Sequence, residues 1–233
     1  MLGLDRRQAI GVGAAGAAVV LGVALVVVIG VIPYPDLVTV SEQPSSPVPG
    51  RLAYVQWEDG EGACLWVADG DGSTRRLRCD EGLGGGVVWS DDGTTVDVAA
   101  YGPREPTVET IDVATGDVVD SRPLDVEEER GPVAFGEPGP IERERDGATL
   151  LVDREDGEPV VQIRAAGETT TLLRLDGPNS YRFDDARWSP DGEWVLVVDS
   201  LRRALVLPAD GDAAPRVWVE DVGWELDWWQ PGT

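Results

Sequence analysis

One short pattern recurs along this chain and divides it into units. In its fullest copy, Trp188-Ser189-Pro190-Asp191-Gly192-Glu193-Trp194 leads into the apolar run 195–198. Pro190 presets φ at the second position of a turn, Asp191 can bond back to the main chain, and Gly192 takes the left-handed conformation that lets the chain reverse. Such punctuation ahead of β-branched residues marks a hairpin. Weaker copies are Trp89-Ser90-Asp91-Asp92-Gly93, Arg143-Glu144-Arg145-Asp146-Gly147 and a truncated Trp228-Trp229-Gln230-Pro231-Gly232, so successive starts are 54, 45 and 40 residues apart. A period of this size implies one supersecondary unit per repeat, each unable to bury a core without its neighbours. Asp92, Gly93, Asp146, Gly147, Asp191 and Gly192 are therefore assigned as repeat turns.

Between the turns the apolar residues fall in short runs, at 52–55, 64–67, 96–101, 108–113, 149–152, 160–163, 170–175, 195–198, 204–207 and 217–219. None keeps a helical period over eleven or more residues, and most alternate or are wholly apolar, as strands of a packed β architecture do. The acidic stretch 127–140 interrupts the spacing and is expected to be a solvated loop. The expectation is an all-β domain over residues 51–233, a small β-propeller of about four blades.

Two stretches carry a family resemblance. Leu65-Trp66-Val67-Ala68-Asp69-Gly70-Asp71-Gly72-Ser73-Thr74-Arg75-Arg76-Leu77, followed by Val88-Trp89-Ser90-Asp91-Asp92-Gly93, resembles the TolB-type β-propeller repeat, a WD40-like unit, as does the run from Trp188 to Val198. The resemblance covers roughly residues 51–232. The resemblance, weakest in the third unit where Arg143 stands in place of the aromatic, implies a bladed all-β scaffold, commonly extracytoplasmic in bacteria and commonly used for protein contacts, and it transfers no catalytic residue.

The start of the chain has a different character. Residues 1–8 form a stub containing Arg6 and Arg7, and no charge appears from Ala9 to Tyr34. At about 1.5 Å per helical residue, 9–32 is long enough to cross a hydrocarbon core of about 30 Å. The arginines precede the span, so the positive-inside bias puts the N-terminus in the cytoplasm and the rest outside. The competing reading is a cleaved signal with a weak twin-arginine motif, but Val31-Ile32-Pro33-Tyr34 offers no small-x-small cleavage site. Residues 33–50, with Pro33, Pro35, Pro44, Pro47 and Pro49, read as a tether.

Composition excludes several chemistries. The chain carries 43 acidic residues against 19 basic ones, all arginine, for a formal charge of −24. That balance argues against nucleic acid or an anionic bilayer surface as a partner. There is no histidine, which removes Ser-His-Asp triads, histidine general bases and histidine metal sites. Asp69-Gly70-Asp71-Gly72 and Asp210-Gly211-Asp212 lack the further ligands of a twelve-residue calcium loop and are read as turns. No metal and no cofactor is expected.

The two cysteines are expected to pair. If Asp71-Gly72 is the centre of a two-residue hairpin turn, Trp66 faces Leu77 and Cys64 faces Cys79 across the strands. Of the nine tryptophans, Trp66, Trp89, Trp188, Trp194 and Trp218 are assigned to blade cores. Trp224, Trp228 and Trp229 are candidates either for ring closure or for an exposed binding surface.

The functional expectation is a membrane-anchored extracytoplasmic propeller, not an enzyme, that binds an envelope protein of unknown identity as a scaffold or docking module. The alternatives are an extracytoplasmic hydrolase using paired carboxylates and a ligand-sensing ectodomain.

Overall fold

The computed structural model describes residues 48–101, 105–125, 141–175, 182–223 and 225–232. The expected span at 9–32, the loop at 127–140 and Trp224 lie outside the described residues. Among the described residues no helix is long and apolar enough to cross a membrane.

The described chain is built of four antiparallel four-stranded sheets, as in a small propeller. In sheet 1 the strands β1 (Arg51–Glu58), β2 (Gly62–Asp69) and β3 (Thr74–Asp80) are joined by β16 (Leu226–Trp229), in the order β16-β1-β2-β3. Sheet 2 is a meander of β4 (Val88–Trp89), β5 (Thr95–Ala100), β6 (Thr107–Asp112) and β7 (Val118–Pro123). Sheet 3 is likewise β8 (Ile141–Arg145), β9 (Ala148–Glu155), β10 (Glu158–Ala165) and β11 (Glu168–Arg174). Sheet 4 is β12 (Phe183–Trp188), β13 (Trp194–Asp199), β14 (Ala204–Pro208) and β15 (Arg216–Val219).

Strand alternation distributes the apolar residues over two interfaces. On β1, Leu52 and Tyr54 point into a core shared with Leu196, Val198, Ala204, Val206 and Trp218 of sheet 4. The intervening Ala53 and Val55 point into a second core with Val96, Val98 and Ile111 of sheet 2. Because neighbouring sheets cover both faces, Leu52 to Val55 is apolar throughout and still buried throughout. The outer strands β3 and β7 carry mostly exposed residues and read as polar.

Tryptophan indoles staple the sheets together. Trp89 Nε1 of sheet 2 donates to Asp227 O of sheet 1 at 3.1 Å, and Trp229 Nε1 of sheet 1 returns a bond to Asp91 O at 3.1 Å. Trp218 of sheet 4 donates to Asp69 O of sheet 1 at 2.8 Å, and Trp188 of sheet 4 donates to Arg143 O of sheet 3 at 3.2 Å. Each ring adds apolar contact area, while its N–H donates to a main-chain carbonyl across a sheet junction. The fold also begins before residue 51: Val48 is buried and its amide donates to Gly70 O at 2.8 Å, so the end of the expected tether packs on sheet 1.

The β2–β3 hairpin corrects the sequence expectation in one detail and agrees in another. Its loop has three residues, 70–72, because Asp69 N bonds Ser73 O and Gly72, at φ +86°, closes a turn onto Asp69 O. Trp66 therefore faces Arg76 and not Leu77. A register shift between Leu65 and Trp66 takes up the extra residue, so Leu65 faces Arg78 and Cys64 faces Cys79. The two cysteines are bonded, with Cα atoms 4.0 Å apart.

Candidate functional site

The repeat motif forms the turns at one end of the sheets, and two copies share one hydrogen-bond frame. In sheet 2, Ser90 N donates to Thr95 O, Gly93 N to Ser90 O, and Thr95 N to Ser90 Oγ, while Asp92 Oδ1 accepts from Ser90 Oγ, Thr94 N and Thr94 Oγ1. In sheet 4, Ser189, Asp191, Gly192, Glu193 and Trp194 repeat this frame: Ser189 N to Trp194 O, Gly192 N to Ser189 O, Trp194 N to Ser189 Oγ, and Asp191 Oδ1 accepting from Ser189 Oγ and Glu193 N. The Thr94 amide, helped by the Thr94 and Ser90 hydroxyls, holds the Asp92 carboxyl below its ordinary range.

The third copy is a different turn. Asp146 and Gly147 both have positive φ, at 49° and 79°, and Arg145 pairs with Ala148, which makes a two-residue primed hairpin. Asp156-Gly157 and Ala166-Gly167 repeat that geometry, so sheet 3 is three such hairpins in succession. The fourth copy is split between the two ends of the described chain. Trp229 and Gln230 leave β16 where Gly50 and Arg51 enter β1, and Arg51 pairs with Trp229.

Side chains from adjoining sheets latch these turns. Gln230, 3% exposed, receives Asp191 N on Oε1 at 2.8 Å and donates through Nε2 to Asp191 Oδ2 at 3.1 Å. Arg145 donates to Ser189 O at 3.0 Å and to Pro190 O. Arg51 donates to Gly93 O at 2.7 Å, with its guanidinium 4.9 Å from the Trp89 ring centroid and 4.6 Å from that of Trp229. A Cβ on Gly93, at φ +67°, would lie 2.3 Å from the Trp229 ring, so both the turn and the stacking require glycine there.

This geometry decides between the two roles expected for the last tryptophans. Trp228 is 5% exposed, packs edge-on against Trp218 with ring centroids 5.2 Å apart, and donates to Pro49 O at 2.9 Å. Trp229 lies across Gly93 beside Trp89. Trp228 is buried, which corrects its expected place on an exposed surface, whereas Trp229 is half-buried: strand alternation sends one ring to each core that flanks sheet 1. Trp224, the third candidate, lies outside the described residues.

Deeper between the sheets lies a charged network. Asp185 on β12 accepts Arg187 Nε at 2.6 Å and pairs with Arg143 Nη2 of sheet 3 at 3.4 Å, while Arg187 Nη1 donates to Leu226 O at 2.6 Å. Asp227 on β16 accepts Trp89 N at 2.9 Å and Trp228 N at 3.0 Å. Burial pushes the Asp227 carboxyl above its ordinary range, against the opposing pull of these amides and of Arg187. Both of its oxygens accept main-chain bonds, so the group serves as a brace for two strands.

One set of donors has metal-like spacing. The carboxylates of Glu58 and Glu61 and the sulfurs of Cys64 and Cys79 lie within 4.8 Å of one another. The sulfurs are bonded to each other and both carboxylates pair with Arg76, which commits these atoms within the protein. In the two sequences weighed as calcium loops, the carboxylates bond their own turns, Asp71 to Ser73 and Asp210 to Asp212 N.

The opposite end of the sheets has another character. There the connections β1–β2, β5–β6 and β13–β14 carry or adjoin Trp57, Tyr101 and Leu201, which are 63%, 40% and 45% exposed. Sequence reasoning missed Trp57, because it shares a strand face with the buried Ala53 and Val55 and alternation alone places it inside.

No protein-family model matches the chain, and no curated protein matches it. Solved structures similar to it include TolB from Acinetobacter baumannii, at 17% identity and TM-score 0.28 over 72% of this chain and 41% of that one. A putative TolB from Agrobacterium tumefaciens matches at 16% identity and TM-score 0.29, over 72% of this chain and 62% of that one. Pyrococcus horikoshii acylaminoacyl peptidase matches at 15% identity and TM-score 0.28, over 73% and 31%. The chain spans less than two thirds of the length of each of these. At such scores the likeness carries no argument about activity, and the fold rests on the four sheets themselves.

Proposed function

We propose that this protein is a binding module of the cell envelope, a propeller anchored through residues 9–32 and displayed outside the cytoplasm, which docks a protein partner rather than turning over a substrate. The observation that carries this reading is the cluster of connections at one end of the sheets bearing exposed Trp57, Tyr101 and Leu201 on a surface otherwise rich in charge. Large amphipathic rings at solvent-facing positions lose nothing in the free protein that docking could not restore, and such residues dominate interface energetics. The Cys64–Cys79 bond supports an oxidising compartment. Where the connections carry apolar groups, the repeat turns at the other end bond largely within themselves.

The test has two parts. The mature protein should retain residues 1–32 and resist carbonate extraction, and a mature N-terminus beyond residue 32 refutes the anchor. Capture from the detergent-solubilised host envelope should yield a partner that is lost with the triple variant Trp57→Ser, Tyr101→Ser, Leu201→Ser. Retention of that partner by the triple variant refutes docking at these connections.

A further inference from the structure

The second feature is electrostatic and lies at the repeat-turn end, independent of the docking surface. An open cleft of about 410 Å³ between sheets 3 and 4 is lined by Arg143, Glu144, Arg145, Arg187 and Trp188. Three of its five lining residues are arginines, in a protein whose formal charge is −24. Their spacing follows from the strands: Arg143 and Arg145 are two apart on β8 and share a face, while Arg187 projects from β12 across the junction.

The available hydrogen-bonding capacity is uneven. Arg187 is committed to Asp185 and to Leu226 O. Arg145 is oriented by the neutral carbonyls of Ser189 and Pro190, and its carboxylate partner, Asp146, has a side chain 91% exposed. Arg143 has one ion-pair contact, to Asp185 at 3.4 Å, and its buried Nε has no acceptor among the described residues. A guanidinium carries five N–H donors in a planar fork. Asp185 is therefore shared between two arginines, and the other carboxylates here, Glu144 in the lining and Asp146 beside Arg145, are exposed to solvent. The indole of Trp188 is fixed by its bond to Arg143 O and forms an apolar wall beside them.

We infer that this cleft is an oxyanion site: it takes a small ligand whose carboxylate or phosphate group bridges Arg143 and Arg145 and whose body lies against Trp188. Bidentate arginine geometry suits either group, and the volume suits a small molecule. The net charge of the protein disfavours general anion binding, so saturable binding that depends on Arg143 reports this cleft and not a general basic surface.

The test titrates inorganic phosphate and citrate separately into the full chain by calorimetry. The expected result is saturable binding of at least one probe, weakened by about tenfold or more in Arg143→Gln and unchanged in Arg164→Gln, an exposed arginine on β10. Phosphate alone would identify a phosphoryl ligand, and citrate alone a carboxylate. A second readout uses the unaltered protein: the bound probe should protect Arg143 and Arg145 from phenylglyoxal while Arg164 reacts. Failure of both probes to saturate, equal weakening by the two variants, or labelling of Arg143 and Arg145 unaffected by probe overturns the inference.

Discussion

Asp92 shows how one carboxylate specifies a repeat turn. Its Oδ1 collects the Ser90 hydroxyl, the Thr94 amide and the Thr94 hydroxyl, and its pKa is lowered for that reason. A carboxyl with a depressed folded pKa contributes stability above its unfolded value, near 3.8, and loses that contribution as pH falls through the lower folded value. Asn at this position keeps an acceptor and loses the charge, whereas Ala loses both. At neutral pH the melting temperature is expected to fall in the order wild type, Asp92→Asn, Asp92→Ala. As pH is lowered through the folded pKa, the gap between wild type and Asp92→Asn should close while the Asp92→Ala gap persists. Circular dichroism melts across that range check this, and a wild-type to Asn gap that does not change with pH would remove charge from the account. The turn itself was legible in the sequence because Ser-x-Asp-Gly encodes it locally. The latch on its counterpart in sheet 4 was not, since Gln230 reaches Asp191 from 39 residues away and no local pattern announces it.

At the scale of elements, the β2–β3 hairpin shows what a register argument can and cannot deliver. The loop is one residue longer than expected and Trp66 meets Arg76, yet the shift at Leu65 restores the register before the cysteines. The bonded pair closes a separation of 15 residues, for which chain entropy gives about 3 kcal/mol. Cys64→Ser combined with Cys79→Ser is therefore expected to lower unfolding stability by about that amount, measured by urea denaturation without reductant. Reduction of the wild type should reproduce the loss, and an unchanged midpoint would show that the bond constrains little. Strands with apolar runs were legible from the sequence, such as β5, β13 and β14. Those without were not: β8 reads Ile-Glu-Arg-Glu-Arg, and it is held by main-chain pairing to β9 and by polar contacts of Arg143 and Arg145 with sheet 4 that no local pattern announces. Asp156-Gly157 carried a hairpin signal that the apolar runs on either side could have exposed, whereas Ala166-Gly167 reaches positive φ with an alanine, which no turn propensity favours. The arginine cleft escaped the sequence reading because its members come from strands in two sheets, and in one strand the arginines alternate with glutamates.

For the whole molecule, β16 is the element on which the arrangement depends. It pairs antiparallel with β1 from Arg51↔Trp229 to Tyr54↔Leu226, so the last described strand completes the first sheet within one chain. It also delivers Leu226 and Trp228 to the core shared with sheet 4, and Asp227 and Trp229 to the junction with sheet 2. Truncating a buried leucine costs about 2–5 kcal/mol and a buried tryptophan about 3–5 kcal/mol, against a total stability of about 5–15 kcal/mol for a domain. Losing both, together with the β1 pairing, consumes most or all of that margin and uncovers the main-chain edge of β1. Deleting residues 225–233 is therefore expected to abolish cooperative unfolding and to drive association of the remaining chain through the exposed edge. Thermal melts and sedimentation velocity on the truncated protein give the two readouts. A cooperative melt close to that of the intact protein would show that sheets 1, 2 and 4 hold together without the returning strand. A truncated chain that loses cooperativity and stays monomeric would place the effect of β16 in core packing, with protection of the β1 edge contributing little. The full expectation, loss of cooperativity with association, requires both roles at once: side-chain alternation sends Leu226 and Trp228 to one core and Asp227 and Trp229 to the other junction, while the main-chain ladder from Arg51↔Trp229 to Tyr54↔Leu226 covers the β1 edge.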